Sequence, residues 1–107
     1  MKTLTVEEFF RQKLGHSYDP SYGNMEGSFQ IEVKGAGSWH LAVDHGNLDL
    51  VEGSRRADCV LRFEKSDLLE ILNGRRNLIT AFLQGRLEIE RKTKLAAGIH
   101  RFFRKAA

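Results

Sequence analysis

The chain has one cysteine, Cys59, one proline, Pro20, and no apolar run that approaches 18 residues. A lone cysteine cannot form an internal disulfide, so we expect a reducing compartment. The absence of a long apolar run excludes a membrane-spanning helix. The segment 1–8 lacks the apolar core of a signal peptide, and we therefore expect a cytoplasmic protein.

Motifs that hold metals or nucleotides are also missing. The sequence contains no HExxH or CxxC pattern and neither glycine-rich phosphate loop, GxGxxG or GxxxxGK[ST]. Cys59 falls on the inward face of a predicted strand, which favours a buried structural thiol over a nucleophile. We therefore predict no catalytic residue, no metal and no cofactor, and interpret the chain as a non-enzyme.

What the chain does contain is typical of one globular domain. It has 107 residues, of which 41% are hydrophobic and 29% are charged. This length supports one hydrophobic core and leaves no material for a second lobe. We assign residues 1–107 to a single domain.

Charge is distributed unevenly along the chain. Residues 1–53 carry four Lys or Arg against eight Asp or Glu, whereas residues 54–107 carry thirteen against six. One interpretation is that solvated faces simply differ in sign. The other is that the basic half meets an anionic partner, either a phospholipid surface or nucleic acid.

The first half of the chain predicts one helix followed by strands. Thr5 and Glu8 have capping-box spacing, and the helix 6–14 would bury Val6, Phe9, Phe10 and Leu14. Turn residues predict a loop over 16–25. Alternating apolar residues then predict four strands, with inward sets Phe29/Ile31/Val33, Trp39/Leu41/Val43, Leu48/Leu50 and Cys59/Leu61/Phe63. The third strand is short and polar, which suits a sheet edge.

The segment 66–89 holds two short apolar helices and a strand. Ser66 or Asp67 would cap the first helix and Gly74 would end it, while Asn77 and Gly85 bound the second. Helices this short are marginal alone, so both must pack on an apolar surface. A last strand around Leu87 and Ile89 precedes a basic, amphipathic helix that starts near Thr93.

The aromatic residues favour no single interpretation by themselves. Trp39 and the seven phenylalanines occupy predicted inward positions, which suits either a filled core or a lined cavity. Arginine doublets such as Arg55–Arg56 and Arg75–Arg76 raise nucleic-acid binding as an alternative. No RRM, KH or helix-turn-helix pattern accompanies them, and the aromatics do not alternate with the arginines.

Several fragments in this order resemble the sterol carrier protein type 2 family. They are Gly37-Ser-Trp-His-Leu41, Ala57-Asp-Cys-Val-Leu61, Ser66-Asp-Leu-Leu69 with Leu72-Asn-Gly74, and Asn77 with Ala81-Phe-Leu-Gln-Gly-Arg-Leu-Glu-Ile89. The resemblance implies an α+β fold with about five mostly antiparallel strands covered by helices. It also implies an apolar tunnel between sheet and helices that holds a lipid.

Positions carried over from the family give the expected tunnel lining. It consists of Trp39, Leu41, Leu61, Phe63, Leu69, Leu72, Phe82, Leu83, Ile99, Phe102 and Phe103. The implied function is non-catalytic binding or transfer of a fatty acid, acyl-CoA, phospholipid, sterol or isoprenoid. One alternative is an accessory module that presents a quinone intermediate or acyl substrate to partner enzymes, and a second is a basic nucleic-acid-binding domain.

Two features depart from the family pattern. Glu90-Arg91-Lys92 stands where relatives place a Gly-Asp-like turn, and the end, Arg104-Lys-Ala-Ala107, lacks a Ser-Lys-Leu type of peroxisomal address. The second departure leads us to expect a prokaryotic, cytoplasmic protein. The last helix, with Phe102 and Phe103 beside Arg101, Arg104 and Lys105, has two interpretations: it docks on an anionic membrane, or it is a plain cover whose cations reach solvent. A homodimer or an enzyme partner is compatible with these features.

Overall fold

The computed structural model describes residues 5–103, which form one mixed sheet with helices packed on one face. The helices are α1 (Val6–Lys13), α2 (Lys65–Leu72), α3 (Leu78–Leu83) and α4 (Thr93–Ile99). The strands are β1 (Gly15–Tyr18), β2 (Glu26–Lys34), β3 (Gly37–Asp44), β4 (Asn47–Glu52), β5 (Cys59–Glu64) and β6 (Leu87–Arg91). Short 3₁₀ turns span Pro20–Tyr22 and His100–Phe103. Within residues 5–103 no helix is long and apolar enough to cross a bilayer.

The sheet order is β1-β4-β3-β2-β5-β6, and the β2–β5 pair is parallel while the others are antiparallel. The predicted α+β class and mostly antiparallel sheet are confirmed. The prediction of five strands missed β1, which pairs with β4 through registers such as Gly15 with Leu50. All four β1 residues are exposed, so no apolar alternation marks this strand. Because β1 covers β4, the prediction that β4 forms a sheet edge was wrong.

The ends of the helices follow local chemistry in most cases. The Thr5 hydroxyl accepts from the Glu8 amide at 3.1 Å and the Glu8 carboxylate accepts from the Thr5 amide at 3.2 Å, which confirms the capping box. The carboxamide oxygen of Asn77 accepts from the Ile79 amide at 2.8 Å and thereby caps α3. The N-cap predicted for α2, Ser66 or Asp67, was wrong, because α2 begins earlier, at Lys65, after Glu64, which makes no side-chain cap.

The inward side chains of β2, β3, β4 and β5 form a continuous core with the helices. Phe29, Ile31, Leu41 and Leu61 are fully buried there. The stripe predicted for α1 is confirmed at Val6, Phe9 and Phe10, but Leu14 is 46% exposed. Leu14 follows the last helical residue and has extended backbone angles, so it leaves the helical face.

The connection into α4 has Glu90-Arg91-Lys92 where the resemblance implies a Gly-Asp-like turn. Arg91 adopts a φ of 69°, and its guanidinium donates to the Ala57 carbonyl at 3.0 Å. The Lys92 amide donates to the Asp58 carbonyl at 3.2 Å. These two bonds hold a left-handed arginine where glycine would be less strained. The chain then enters α4, which packs on β5 and β6.

Candidate functional site

The structure brings most of the predicted lining residues into the space between sheet and helices. Fully or almost fully buried there are Trp39, Leu41, Leu61, Phe63, Leu72, Ile99, Phe102 and Phe103. Leu69 is partly buried against the same core. Phe82 and Leu83 lie elsewhere, since they are 37% and 77% exposed on the outer side of α3.

Six aromatic rings connect α1, the sheet and the C-terminal turn into one group, which we call the aromatic cluster. Its members are Phe9, Phe10, Trp39, Phe63, Phe102 and Phe103. Phe10 stacks on Trp39 with ring centroids 3.9 Å apart, and Phe9 meets Phe102 edge-to-face at 5.7 Å. Phe103 contacts Phe63 at 5.6 Å. The cluster therefore fills the centre of the space in which the resemblance implies a tunnel.

A cavity of about 240 Å³ opens beside this cluster, between the end of α1 and the strands β1, β3 and β4. We call it the α1 cavity. Its inner wall is apolar and consists of Leu41, Leu48, Leu50 and Phe102. Its outer wall consists of Gln12, Lys13, Leu14, His16 and Ser17, of which all but Lys13 are exposed. The cavity therefore runs from solvent to the buried helix-facing surface of the sheet.

Lys13 places one positive charge in the wall of the α1 cavity. Its ammonium lies 5.3 Å from the centroid of the Phe9 ring and 5.1 Å from that of Phe102. Burial lowers the pKa of Lys13, and the nearby Asp19 carboxylate opposes that shift. The faces of the two rings attract the Lys13 ammonium. An anion that entered the cavity would also stabilise this ammonium and so offset its desolvation.

A second, larger groove lies across the ends of four strands. It has a volume of about 770 Å³ and is lined mainly by charged residues and glycines. Arg62, at its centre, already pairs with Glu32 at 2.9 Å and approaches Glu88 at 3.7 Å. Lys34 and Glu64 form a further exposed pair. The groove is also more open to solvent than the α1 cavity, so it would enclose an apolar ligand less completely.

Reactive groups occur in settings that favour structural roles. Cys59 is fully buried, and burial raises the pKa of its thiol to about 11. Glu26, Asp44 and His45 bring three potential metal ligands together, but all three are exposed. The His45 Nδ1 donates to the Asp44 carboxylate, and this hydrogen bond raises the pKa of His45, which marks the group as a surface ion pair.

Sequence reasoning missed part of this site. The α1 residues Phe9, Phe10 and Lys13 and the β4 residues Leu48 and Leu50 belong to the cluster or the cavity, yet none was among the predicted lining residues. The signal was present in the adjacent Phe9–Phe10 pair of a capped helix. What was missing was β1, which brings the end of α1 against β4.

Comparison with known proteins agrees with this architecture. The model of the SCP-2 sterol transfer family matches residues 7–104. Sterol carrier protein 2 of Bos taurus is 37% identical over 101 residues, which is 89% of this chain but only 19% of that protein. The chain thus spans about a fifth of the length of its curated relatives. It belongs to the SCP-2 sterol transfer family.

Solved structures show the same fold. The solution structure of palmitated SCP2L2 from Aedes aegypti has a TM-score of 0.66 at 21% identity, covering 94% of this chain and 95% of that one. The ubiquinone synthesis protein UbiJ-SCP2 has a TM-score of 0.56 at 19% identity, covering 92% and 76%. The predicted family is confirmed, and lipid binding or transfer is the function that membership supports.

Proposed function

We propose that this protein binds one lipid-like molecule through the α1 cavity and the aromatic cluster, without covalent catalysis, in the cytoplasm. Family membership supports the ligand class. The observation that carries the proposal is the α1 cavity itself, whose leucine wall reaches the sheet and whose outer wall reaches solvent. A fatty acid, acyl-CoA, phospholipid, sterol or isoprenoid would each supply the apolar part that this wall requires.

A whole lipid needs more space than the α1 cavity offers. Its 240 Å³ falls below the range of about 300–1,000 Å³ usual for ligand sites. The ligand therefore has to displace rings of the aromatic cluster, starting with Phe102, which lines the cavity. Burying about ten methylenes gains roughly 8 kcal/mol, whereas exposing one buried phenylalanine ring costs about 1.5–3 kcal/mol and each aromatic pair lost with it about 0.5–1.5 kcal/mol more. Ligand burial thus outweighs the displacement of one ring such as Phe102.

Lys13 suggests which end of the ligand stays outside. Its ammonium is held at the cavity wall between two rings, and burial already lowers its pKa. A carboxylate or phosphate at that position would pair with the ammonium while the chain extends inward. The proposal therefore favours a lipid with an anionic head group.

One alternative keeps the same site but changes its use. The fold is shared with a ubiquinone synthesis protein, which supports a module that presents a quinone intermediate or acyl substrate to a partner enzyme. This alternative also needs an apolar site, so the two differ only in the presence of a partner. Nucleic-acid binding differs from both, because its affinity falls steeply with salt while apolar burial hardly changes.

Displacement of a fluorescent fatty acid tests the proposed site. Leu48→Trp should reduce binding at least tenfold, because the larger ring fills the wall of the α1 cavity. Val51→Trp is the matched control, because Val51 lies on the opposite face of β4 from Leu48. This variant should bind the fatty acid as tightly as the unchanged protein does. Equal binding by both variants, with folding verified by circular dichroism, would contradict the α1 cavity as the site.

A further inference from the structure

The helix α3 exposes its apolar residues on the outside of the protein. Leu83 is 77% exposed, Phe82 is 37% exposed and Ile79 is 36% exposed. Spacings of three and four residues place these side chains on one face of the helix. A surface helix usually presents polar residues to solvent, so this face is an exception within residues 5–103.

The remainder of α3 holds that face outward. Leu78 and Ala81, on the opposite side, are fully buried in the core. Asn77 caps the first turn, and Gly85, with a φ of 73°, allows the chain to turn sharply into β6. Phe82 and Leu83 could enter the core only if Leu78 and Ala81 left it. The exposed face is therefore a fixed feature of the fold.

Arginines lie at both ends of this apolar face. From Gly74 to Leu87 the chain has three arginines and no Asp or Glu. Arg76 contacts Glu70 at 3.5 Å, and Arg86 contacts Asp67 at 3.3 Å from a half-exposed position. Arg75 is exposed, and its guanidinium has no hydrogen bond or ion pair with any other described residue. At least one arginine beside α3 is therefore available to an external anion.

We propose that α3 docks the protein on an anionic phospholipid bilayer. Phe82 and Leu83 would enter the boundary between head groups and acyl chains, as apolar faces of interfacial helices do. Arg75, with Arg86 at the other end, would meet the lipid phosphates. The proposal goes beyond ligand binding and does not depend on what the α1 cavity holds.

The charge pattern selects a bilayer over other occupants of this face. A second copy of the chain would bring the same arginines against each other, at a repulsive cost. Docking through the last helix is a weaker explanation, because Phe102 and Phe103 are buried. The predicted cations Arg104 and Lys105 lie outside the described residues. The apolar face with cations at both ends matches an anionic membrane instead.

Co-sedimentation with vesicles tests the proposal. We expect binding to phosphatidylglycerol/phosphatidylcholine vesicles, and Leu83→Ser should weaken it about tenfold through lost apolar insertion. Tyr18→Ser is the matched control, because Tyr18 is a 63% exposed aromatic residue on β1, away from α3. This substitution should leave vesicle binding unchanged. Equal weakening by both variants, or none by Leu83→Ser, would overturn the proposal.

A charge experiment separates a bilayer from a protein partner. Arg75→Gln should reduce binding to anionic vesicles about fivefold, while the control Arg56→Gln, on the loop after β4, should not. Added salt should weaken binding to the anionic vesicles. Sedimentation velocity completes the test: a concentration-dependent dimer that Leu83→Ser abolishes would show that a second copy covers α3, and would overturn the bilayer proposal.

Discussion

Phe10 of α1 stacks on Trp39 of β3, with ring centroids 3.9 Å apart and ring planes 8° from parallel. This contact joins the first helix to the centre of the sheet. Phe10 is fully buried, and Trp39 is the single tryptophan of the chain. Trp39 fluorescence therefore reports directly on whether α1 is seated on the sheet and whether a ligand enters between them.

The Phe10–Trp39 contact should be a major source of stability. Phe10→Ala should lower the free energy of unfolding by about 3–5 kcal/mol, because it leaves a cavity and removes the stacked pair. Phe10→Leu, which keeps most of the volume, should cost about 1–2 kcal/mol. Urea unfolding followed by Trp39 emission measures both. A cost below about 1 kcal/mol for Phe10→Ala would show that α1 contributes little to the core.

Lys13 should discriminate between ligand head groups. Lys13→Met keeps a side chain of similar length but removes the ammonium beside Phe9 and Phe102. Affinity for a fatty acid should fall about tenfold, whereas affinity for the fatty alcohol of the same chain length should stay within twofold. Competition against a fluorescent fatty acid measures both ligands. Parallel losses for acid and alcohol would mean that Lys13 only packs against the rings.

Cys59 should be unreactive in the folded protein. Burial raises the pKa of its thiol to about 11, so at pH 8 almost no thiolate is present and a disulfide reagent should react only after unfolding. The ordinary pKa is 9.0, so the unfolded chain loses this proton first as the pH rises. The protonated Cys59 thiol therefore contributes fully to the free energy of unfolding below pH 9. Between pH 9 and pH 11 this contribution decreases by about 2 kcal/mol.

The variant Cys59→Ala isolates that effect. Its stability relative to the unchanged protein should improve as the pH increases from 8 to 11, because the alanine has no proton to lose. Urea unfolding at several pH values provides the comparison. Rapid labelling of native Cys59 at pH 8 would contradict the burial of this strand.

Asn77 should control the stability of α3. Its side chain accepts from the Ile79 amide at 2.8 Å, so Asn77→Ala should cost about 1 kcal/mol of unfolding free energy. Asn77→Asp keeps the acceptor and should cost little. Equal unfolding free energies for Asn77→Ala and Asn77→Asp would show that the side-chain cap does not stabilise the start of α3.

The sequence predicted the elements better than it predicted the site. Strict alternation at Phe29, Ile31 and Val33 located β2, and cap chemistry at Thr5 and Asn77 located two helices. The sequence did not predict β1, because all four of its residues are exposed and show no apolar alternation. The cavity wall at Leu48 and Lys13 depends on β1, because that strand sets the end of α1 beside β4. Periodicity predicts which face is buried but does not show which helix residues meet it.

The positions of Phe82 and Leu83 on α3 explain why these two predicted lining residues are exposed. Phe82 and Leu83 fit a helical apolar pattern, but α3 has only six residues and already buries Leu78 and Ala81 on its inner side. No inner position remains for them. The family resemblance predicted that Phe82 and Leu83 line the tunnel. Only the structure shows that they lie on the outer side of α3.

Native mass spectrometry of the purified protein, followed by organic extraction, shows whether the α1 cavity holds a lipid. We expect a one-to-one complex with a lipid that is released on extraction, and loss of that complex in Leu48→Trp but not in Val51→Trp. Protein that is always free of lipid, and that does not take up a fluorescent fatty acid after delipidation, would contradict the claim that the α1 cavity and the aromatic cluster open to hold a ligand.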